Sequence, residues 1–317
     1  TFQTHTDTEV IVHLYEEEGE RFVQKLRGMF AIALWDNRQK KLLLIRDRVG
    51  IKPLHYYFQN GTLVFGSEIK AILEYPDASR EISLSALNDY LSFLYIPAPK
   101  TIYQNIHKLP AGHFIRYQKG NFEIEQYWDF SYEPDSSISE SQWTEKIRGE
   151  LDESVKMHLI SEVPLGAFLS GGLDSSSVVA LMSRQNTGPV KTYSIGFSDE
   201  RFNELPYARA VARHLDVEHH EKIVEADAFS LLPKILSGFD EPFADASAIP
   251  TYLVSEFAKT QVTVALSGDG GVELFGGYLW TQKELWLEKY RQAPAVLRKL
   301  LEKAWLGSRY QPNRESS

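Results

Sequence analysis

Residues 165–176 read LGAFLSGGLDSS: an apolar run of strand length, two glycines, an aspartate and two serines. The apolar run at 165–169 predicts a buried strand, and residues 175–184 predict a helix. Adjacent glycines between a strand and a helix let backbone N–H groups converge on an anion, and the helix adds its positive N-terminal end. The stretch therefore predicts a phosphate-binding loop that lacks the lysine of a Walker A loop. A tight turn followed by a helix cap is the simpler alternative.

Asp174 adds a second requirement to this loop. The hydroxyls of Ser170, Ser175 and Ser176 would supply hydrogen-bond donors to a bound phosphate. The carboxylate of Asp174 would repel the same phosphate unless a divalent cation lay between them. We therefore expect a nucleotide phosphate and a divalent cation together at this loop.

A second glycine-rich stretch, SGDGGVELFGGY at residues 267–278, follows another predicted strand at 262–266. In a doubly wound parallel sheet, the loops at the carboxyl ends of the strands gather around one crevice. We therefore expect both loops to address the same nucleotide. The alternative is a flexible connection without a binding role.

Residues 143–317 alternate helices with strands of the buried type around these two loops. This alternation predicts an α/β domain with a doubly wound parallel sheet. The predicted strands are residues 165–169, 190–197, 218–224 and 262–266. The predicted helices are residues 143–160, 175–184, 204–215, 228–238 and 249–259, then an amphipathic helix at 282–305 interrupted at Pro294, before a polar tail at 307–317.

Residues 1–128 have a different pattern. Thr6 and Glu9 have the spacing of a capping box, which predicts the start of a helix. Short apolar runs then follow one another, and an Asn-Gly pair at residues 60–61 between two of them is a strong hairpin signal. The pattern predicts an α+β domain with antiparallel sheet. The serine-rich, proline-containing residues 129–142 predict a linker to the second domain.

The composition limits the classes of function that the chain can have. Its 317 residues suffice for two domains, and the net charge of −9 argues against a broad face for duplex nucleic acid. No apolar run approaches the length of a membrane span, and the first residues do not have the pattern of a signal peptide. The chain contains no cysteine, which excludes disulfides, thiolate metal sites and a cysteine nucleophile within these residues.

The loop at residues 170–176 resembles the PP-loop of ATP pyrophosphatases, which cleave ATP between its α and β phosphates. Together with YSIGF at 193–197, DEPFAD at 240–245 and the second glycine loop, it resembles the glutamine-dependent asparagine synthetase family. TDTE at 6–9 and RDRVGIKPL at 46–54 are similar to the latter part of a class II glutamine amidotransferase domain. The resemblance implies an α+β glutaminase-type domain of the N-terminal-nucleophile class, with antiparallel sheets, followed by an α/β PP-loop ATP pyrophosphatase domain.

The resemblance also implies roles for individual residues. Asp174 would bind magnesium, and Asp269 would be a catalytic residue at the acidic position near a β-aspartyl-adenylate. Asp7 would bind the α-ammonium group of glutamine, although an acid at a helix N-terminus is a serious alternative. The residues implied to bind ATP are Leu169, Ser170, Gly171, Gly172, Asp174, Ser175, Ser176, Ile195, Ser267 and Gly268.

The implied activity is ATP-dependent adenylation of the aspartate side chain and its amidation with ammonia from glutamine, giving asparagine, AMP and pyrophosphate. The substrates would be aspartate, glutamine and ATP, with Mg²⁺ as the metal, in a cytoplasmic enzyme without nucleic-acid or membrane partners. A homodimer is one assembly that the resemblance allows. Two alternatives stay open: an amidotransferase of the same fold that acts on another carboxylate, and an ATP-binding remnant without turnover.

The sequence departs from the family at three points. The family's N-terminal cysteine nucleophile is absent, so we expect no hydrolysis of glutamine by these residues alone. Val272 stands where the family has an acidic candidate magnesium ligand, and its isopropyl group cannot coordinate a hard cation; Asp269 or Glu273 would have to compensate. Family members also continue beyond the second glycine loop, so no lysine after Tyr278 is assigned to catalysis.

Two further groups of polar residues are weaker candidates. His219 and His220 are neighbours on a predicted strand, so they face opposite sides and are not expected to share a metal. Asp240, Glu241 and Asp245 lie in one predicted loop. That loop either borders the nucleotide crevice or is an acidic turn punctuated by proline.

Overall fold

The structure, a computed structural model, describes residues 2–4, 6–185, 188–224, 228–295 and 297–298. These residues contain three β-sheets. The chain divides into two compact units. Unit 1 comprises Thr1–Ser137 and Asp227–Ile249, and unit 2 comprises Ile138–Ala226 and Pro250–Ser317. Among the described residues, no helix is both long and apolar enough to cross a membrane.

The helices and strands follow one another without long interruptions. Before residue 130 they are α1 (Asp7–Glu18), a 3₁₀ helix (Gly19–Lys25), β1 (Ala31–Asp36), β2 (Lys41–Arg46), β3 (His55–Gln59), β4 (Thr62–Gly66), α2 (Ile69–Ile72), α3 (Leu84–Phe93), β5 (Ile106–Lys108), β6 (His113–Gln118) and β7 (Asn121–Gln126). After it they are α4 (Glu140–His158), β8 (Leu165–Phe168), α5 (Leu173–Gln185), β9 (Lys191–Phe197), a short 3₁₀ helix (Glu200–Phe202), α6 (Leu205–Leu215), β10 (Glu218–Val224), α7 (Ala228–Leu236), α8 (Ala248–Ala258), β11 (Val264–Leu266), α9 (Gly271–Phe275) and α10 (Leu279–Gln292).

Strand β2 lies at the centre of unit 1 and is buried on both faces. Leu43 and Ile45 pack with Phe22 of the first 3₁₀ helix, and Leu44 on the other face packs with Tyr56 of a second sheet. The first sheet has the strand order β1-β2-β6-β7 and the second has the order β4-β3-β5, with every pairing antiparallel. Burial on both faces explains why β2 is a nearly continuous apolar run. The predicted α+β fold with antiparallel sheets is confirmed.

The Asn-Gly hairpin is also present in unit 1. Strands β3 and β4 pair antiparallel, and the two residues between them, Asn60 and Gly61, have φ angles of 50° and 76°. A positive φ at both central residues is typical of the type I′ turn, whose twist matches that of the flanking strands. The hairpin prediction is therefore confirmed.

The start of α1 differs from its prediction. The helix begins at Asp7, but the side chain of Thr6 makes no capping hydrogen bond. Glu9 instead accepts hydrogen bonds from the backbone N–H groups of Gln3 and Thr4, each at 2.6 Å. The hydrogen bond from the Thr4 hydroxyl is the main reason why the pKa of Glu9 falls to about 2. The predicted capping box is wrong because Glu9 accepts from the two earlier residues rather than from Thr6.

Unit 2 is built on one parallel sheet with the order β10-β9-β8-β11. On one face, Ala167 of β8 packs with Val179 of α5 and Ala212 of α6. On the other face, Tyr193 of β9 packs with Ala258 at the end of α8. Helices therefore cover both faces, and the predicted doubly wound parallel sheet is confirmed.

The strand order places a topological switch point in unit 2. The chain runs outward from β8 to β9 and β10, and then returns to add β11 on the other side of β8. The order therefore reverses between β8 and β11. The carboxyl ends of two such strands bound the crevice where open α/β sheets bind ligands.

Helices α4 and α10 of unit 2 differ most from the bounds that the sequence predicts, and α5 begins two residues early, at Leu173. Helix α4 begins at Glu140 rather than at residue 143, because Ser139 and Gln142 form a capping box in which the Ser139 N–H donates to the Gln142 Oε1 at 2.9 Å. Helix α10 begins at Leu279 and ends at Gln292, before Pro294. The predicted continuation at 299–305 and the polar tail at 307–317 lie outside the described residues.

The acidic loop at residues 240–245 belongs to unit 1. The Asp240 carboxylate accepts the Ile69 backbone N–H at 2.6 Å, at the start of α2. Glu241 forms an ion pair with Lys108 and accepts the Ile102 N–H at 3.2 Å. These contacts give both acids structural partners, so they favour the acidic-turn interpretation and anchor the segment 227–249 in unit 1.

Replacement of Asp240 by alanine should destabilise unit 1 by about 1–2 kcal/mol, because the N–H of Ile69 is buried and would lose its acceptor. Asp240→Asn keeps an acceptor oxygen and should cost less. Urea denaturation of the full chain gives the free energy of unfolding for both variants. Equal stability of the Asp240→Ala variant and the unsubstituted chain would contradict this role.

Candidate functional site

The first glycine loop follows β8 at the switch point of unit 2. The Leu169 N–H donates to the Tyr193 carbonyl at 3.0 Å, and the Leu169 carbonyl accepts from the Ser194 hydroxyl. Gly171 then has a φ of +86°, and a Cβ there would lie 2.5 Å from the carbonyl carbon of Tyr207 at the start of α6. Only glycine fits this turn. Any other residue would be strained at this positive φ, and its Cβ would overlap the backbone of α6.

The three predicted phosphate-binding serines have different environments. Ser170 is exposed, and its hydroxyl lies 2.9 Å from that of Ser175, which is buried. The Ser170 hydroxyl also accepts the Gly172 N–H at 3.2 Å. The Ser176 Oγ is inaccessible and has no hydrogen-bond partner among the described residues. Ser170 therefore faces solvent, Ser175 holds the loop together, and Ser176 would have to move its hydroxyl to reach a ligand.

The second glycine loop packs directly on the start of α5. A Cβ on Gly268 would lie 2.6 Å from the Ser175 backbone nitrogen and 2.9 Å from the Asp174 Cβ. A Cβ on Gly271 would lie 2.6 Å from the Asp174 Cγ. The structure thus brings both predicted loops together at one point, and the absence of two side chains allows that approach.

Asp174 lies at this point of contact. Its side chain is half-buried, and none of the described residues donates a hydrogen bond or forms an ion pair to its carboxylate. A partly buried carboxylate without partners costs free energy unless a bound group compensates its charge. A hard cation would do so, because Mg²⁺ is commonly held by one or two carboxylates together with substrate phosphates. Asp174 therefore fits the role of a magnesium ligand.

The other acids of the second loop have internal partners. Asp269 is exposed and accepts a hydrogen bond from the Ser267 hydroxyl at 2.9 Å. Glu273 accepts the Gly270 N–H at 3.1 Å and the Tyr278 hydroxyl at 2.7 Å, and the latter bond is the main cause of its lowered pKa. No cluster of three metal-binding side chains occurs in the described residues. Glu273 thus accepts two hydrogen bonds and Asp269 accepts one, and each carboxylate keeps lone pairs for a further ligand.

The remaining predicted site residues lie in two places. Leu169 and Ile195 lie at or near the carboxyl ends of the adjacent strands β8 and β9, the first buried and the second half-buried. Asp7 lies in unit 1, exposed in the first turn of α1, where its carboxylate accepts from the Thr8 hydroxyl at 3.3 Å. The binding roles of these residues stay predictions.

His219 and His220 have separate partners, as their alternation along β10 predicts. The Nδ1 of His219 lies 2.9 Å from the Thr192 hydroxyl, and burial lowers the pKa of His219. His220 stacks on Tyr193 and lies 2.9 Å from a carboxylate oxygen of Glu218. Both histidines therefore have structural contacts on the two faces of the sheet.

Sequence reasoning missed the hydrogen bond between Tyr278 and Glu273. The spacing of Gly270 and Glu273 is that of a capping box, so the hydrogen bond from the Gly270 N–H to the Glu273 carboxylate could be predicted from local sequence. The hydrogen bond from the Tyr278 hydroxyl could not be predicted in this way, because the position of Tyr278 depends on the turn at Gly276 and Gly277.

Comparison with known proteins agrees with this architecture. Residues 1–128 match the family model of the glutamine amidotransferase domain, and residues 146–316 match that of asparagine synthase. The fold and the site thus define an amidotransferase domain followed by a synthetase domain that is built on a parallel sheet. The second model covers more than half of the chain. The chain belongs to the glutamine-hydrolysing asparagine synthetase family.

Individual relatives are similar along nearly the whole chain. Asparagine synthetase [glutamine-hydrolyzing] 1 of Bacillus subtilis is 37% identical over 303 residues, which cover 95% of this chain and 48% of that protein. A relative from Methanocaldococcus jannaschii is 38% identical over 303 residues, with 93% of this chain and 58% of the relative covered. Asparagine synthetase B of Escherichia coli is 33% identical over 303 residues, which cover 89% of this chain and 49% of that protein. The chain spans about half the length of these relatives.

Gly268→Ala should separate the two loops, because the new methyl group would overlap the start of α5. We expect a loss of about 1–3 kcal/mol in the free energy of unfolding, as for an overpacked core. Gly149→Ala is the matched control: it lies in α4 with no atom near its Cβ position, and should stabilise the chain by about 1 kcal/mol. If the Gly268→Ala variant were as stable as the unsubstituted chain, this result would contradict the direct packing of the second glycine loop on α5.

Proposed function

We propose that unit 2 binds ATP between its two glycine loops and uses it to adenylate the side-chain carboxylate of aspartate. Ammonia derived from glutamine then displaces AMP to give asparagine. The observation that carries the proposal is the Asp174 carboxylate, which has no partner in the part of the chain that the structure describes and lies where the two loops meet at the switch point of the sheet. Membership of the asparagine synthetase family supports the choice of reaction.

The residues of the first loop would hold the pyrophosphate leaving group. An aspartate carboxylate oxygen attacks the α phosphorus, and the bond from that phosphorus to the β-phosphate oxygen breaks. The exposed hydroxyl of Ser170 and the N-terminal end of α5 would stabilise the charge that develops on pyrophosphate. Magnesium held by Asp174 would neutralise part of the same charge.

The other predicted residues would orient the nucleotide and the acyl-adenylate. Leu169, Ile195 and the backbone of Ser267 and Gly268 would hold the adenosine, with Asp269 near the activated aspartate. Catalysis would come mainly from positioning, because both reacting groups are brought into one site.

The amidotransferase domain would contribute to glutamine binding but not, by these residues alone, to glutamine hydrolysis. None of the 317 residues is a cysteine, so these residues alone would not hydrolyse glutamine, although Asp7 would still bind its α-ammonium group. Added ammonium salts would then serve as the nitrogen source. The homodimer and the cytoplasmic location stay predictions.

Exchange of labelled pyrophosphate into ATP tests the proposed function, and we expect it to depend on aspartate. Exchange that depends on a different carboxylate would identify an amidotransferase with another acceptor, as the first alternative proposes. Binding of ATP without exchange would favour the ATP-binding remnant. Absence of ATP binding would contradict all three.

Val272→Asp should raise the rate of this exchange, because it adds a candidate magnesium ligand to the loop that packs on Asp174. Val272→Asn is the matched control, since it has nearly the same size but no charge, and it should not raise the rate. An unchanged rate in the Val272→Asp variant would show that the valine does not limit adenylation.

A further inference from the structure

The carboxylate of Glu273 joins the two ends of the second glycine loop. One of its oxygens accepts the N–H of Gly270 at 3.1 Å, and the other accepts the hydroxyl of Tyr278 at 2.7 Å. The residue thus connects the tip of the loop, before α9, with the chain that follows this short helix. Each oxygen of the Glu273 carboxylate therefore already has one hydrogen-bond donor within the loop region.

The position of the Gly270 backbone matters for both neighbouring acids. Gly270 has a φ of +96°, a left-handed backbone conformation that favours glycine. Asp269 precedes it and faces solvent, and Gly271 follows it and lies against the Asp174 carboxylate. A shift of the Gly270 amide would therefore displace both the exposed acid and the backbone that packs on Asp174.

Tyr278 fixes the orientation of the Glu273 side chain. Its ring stacks on that of Trp280, with centroids 5.7 Å apart, which restricts the direction of the hydroxyl. A hydrogen bond from a hydroxyl to an ionised carboxylate is stronger than one between neutral groups. The tyrosine thus holds the carboxylate where it can accept the Gly270 N–H.

We propose that Glu273 and Tyr278 form a clasp that positions the second glycine loop on Asp174 for the binding of nucleotide phosphates. The clasp consists of the Tyr278 hydroxyl, the Glu273 carboxylate and the Gly270 N–H. Both side chains are positioning residues. This inference rests on the ATP-binding function proposed above.

Tyr278→Phe tests the clasp, with Tyr252→Phe as its matched control. Tyr252 donates to Glu256 at 3.0 Å on α8 of the same unit, so its variant also loses a hydroxyl that is bonded to a glutamate, but away from the loop. We expect Tyr278→Phe to raise the dissociation constant for ATP with Mg²⁺ by about fivefold, as the loss of one such bond implies. The control should bind as the unsubstituted chain does, and both variants should have the same urea midpoint.

Three further measurements distinguish the clasp from a general loss of stability. Amide hydrogen exchange in residues 267–271 should be faster in Tyr278→Phe but not in Tyr252→Phe. In pyrophosphate exchange, the KM for ATP should rise while kcat changes less, because the loop binds nucleotide in the ground state and the transition state alike. In a double-mutant cycle, Glu273→Ala with Tyr278→Phe should be no weaker in ATP binding than Glu273→Ala alone.

The outcomes distinguish this inference from the proposed function. If the unsubstituted chain binds ATP and Tyr278→Phe binds it equally well, the clasp is overturned and the proposed function stands. Additive losses in the double variant would also overturn it. If the unsubstituted chain binds no ATP, the proposed function fails and the clasp fails with it.

Discussion

The site in unit 2 depends on one steric constraint: no side chain fits between the second glycine loop and the start of α5. Cβ atoms on Gly268 and Gly271 would lie 2.6 Å from atoms of Ser175 and Asp174. Strands β8 and β11 are neighbours, so their following loops emerge side by side, but only glycine lets them touch. The parallel sheet brings the loops near each other, and the glycines bring them into contact.

This contact determines which charges remain available. Asp174 is half-buried at the contact without a partner among the described residues, whereas Asp269 accepts from Ser267 and Glu273 holds its own loop. The loops therefore present one unpaired carboxylate and a set of hydroxyl and backbone donors. Val272, which follows Gly271, is half-buried and adds no charge. The arrangement suits a phosphate chain that brings its own cation better than a metal site made of protein ligands alone.

Much of this could be predicted from the sequence because the signals are local. Glycine pairs between strands and helices, and the alternation of both elements, gave the order of unit 2 and the position of Asp174. Long-range partners had no such signal. The carboxylate of Asp240 accepts an N–H from Ile69, 171 residues away in the sequence. The segment 227–249 belongs to unit 1 because of such contacts, which the composition of the segment does not indicate. Glu9 likewise accepts from Gln3 and Thr4 rather than from Thr6, and the spacing of the residues did not indicate this choice.

The most direct test of the central claim is a crystal structure of the chain with Mg²⁺ and the α,β-methylene analogue of ATP, whose bridging carbon prevents cleavage. We expect the phosphates to lie against residues 170–176, the cation to contact the Asp174 carboxylate, and the second loop to keep its packing on α5. Phosphates bound away from both glycine loops, or an Asp174 carboxylate with no contact to the cation, would contradict the claim.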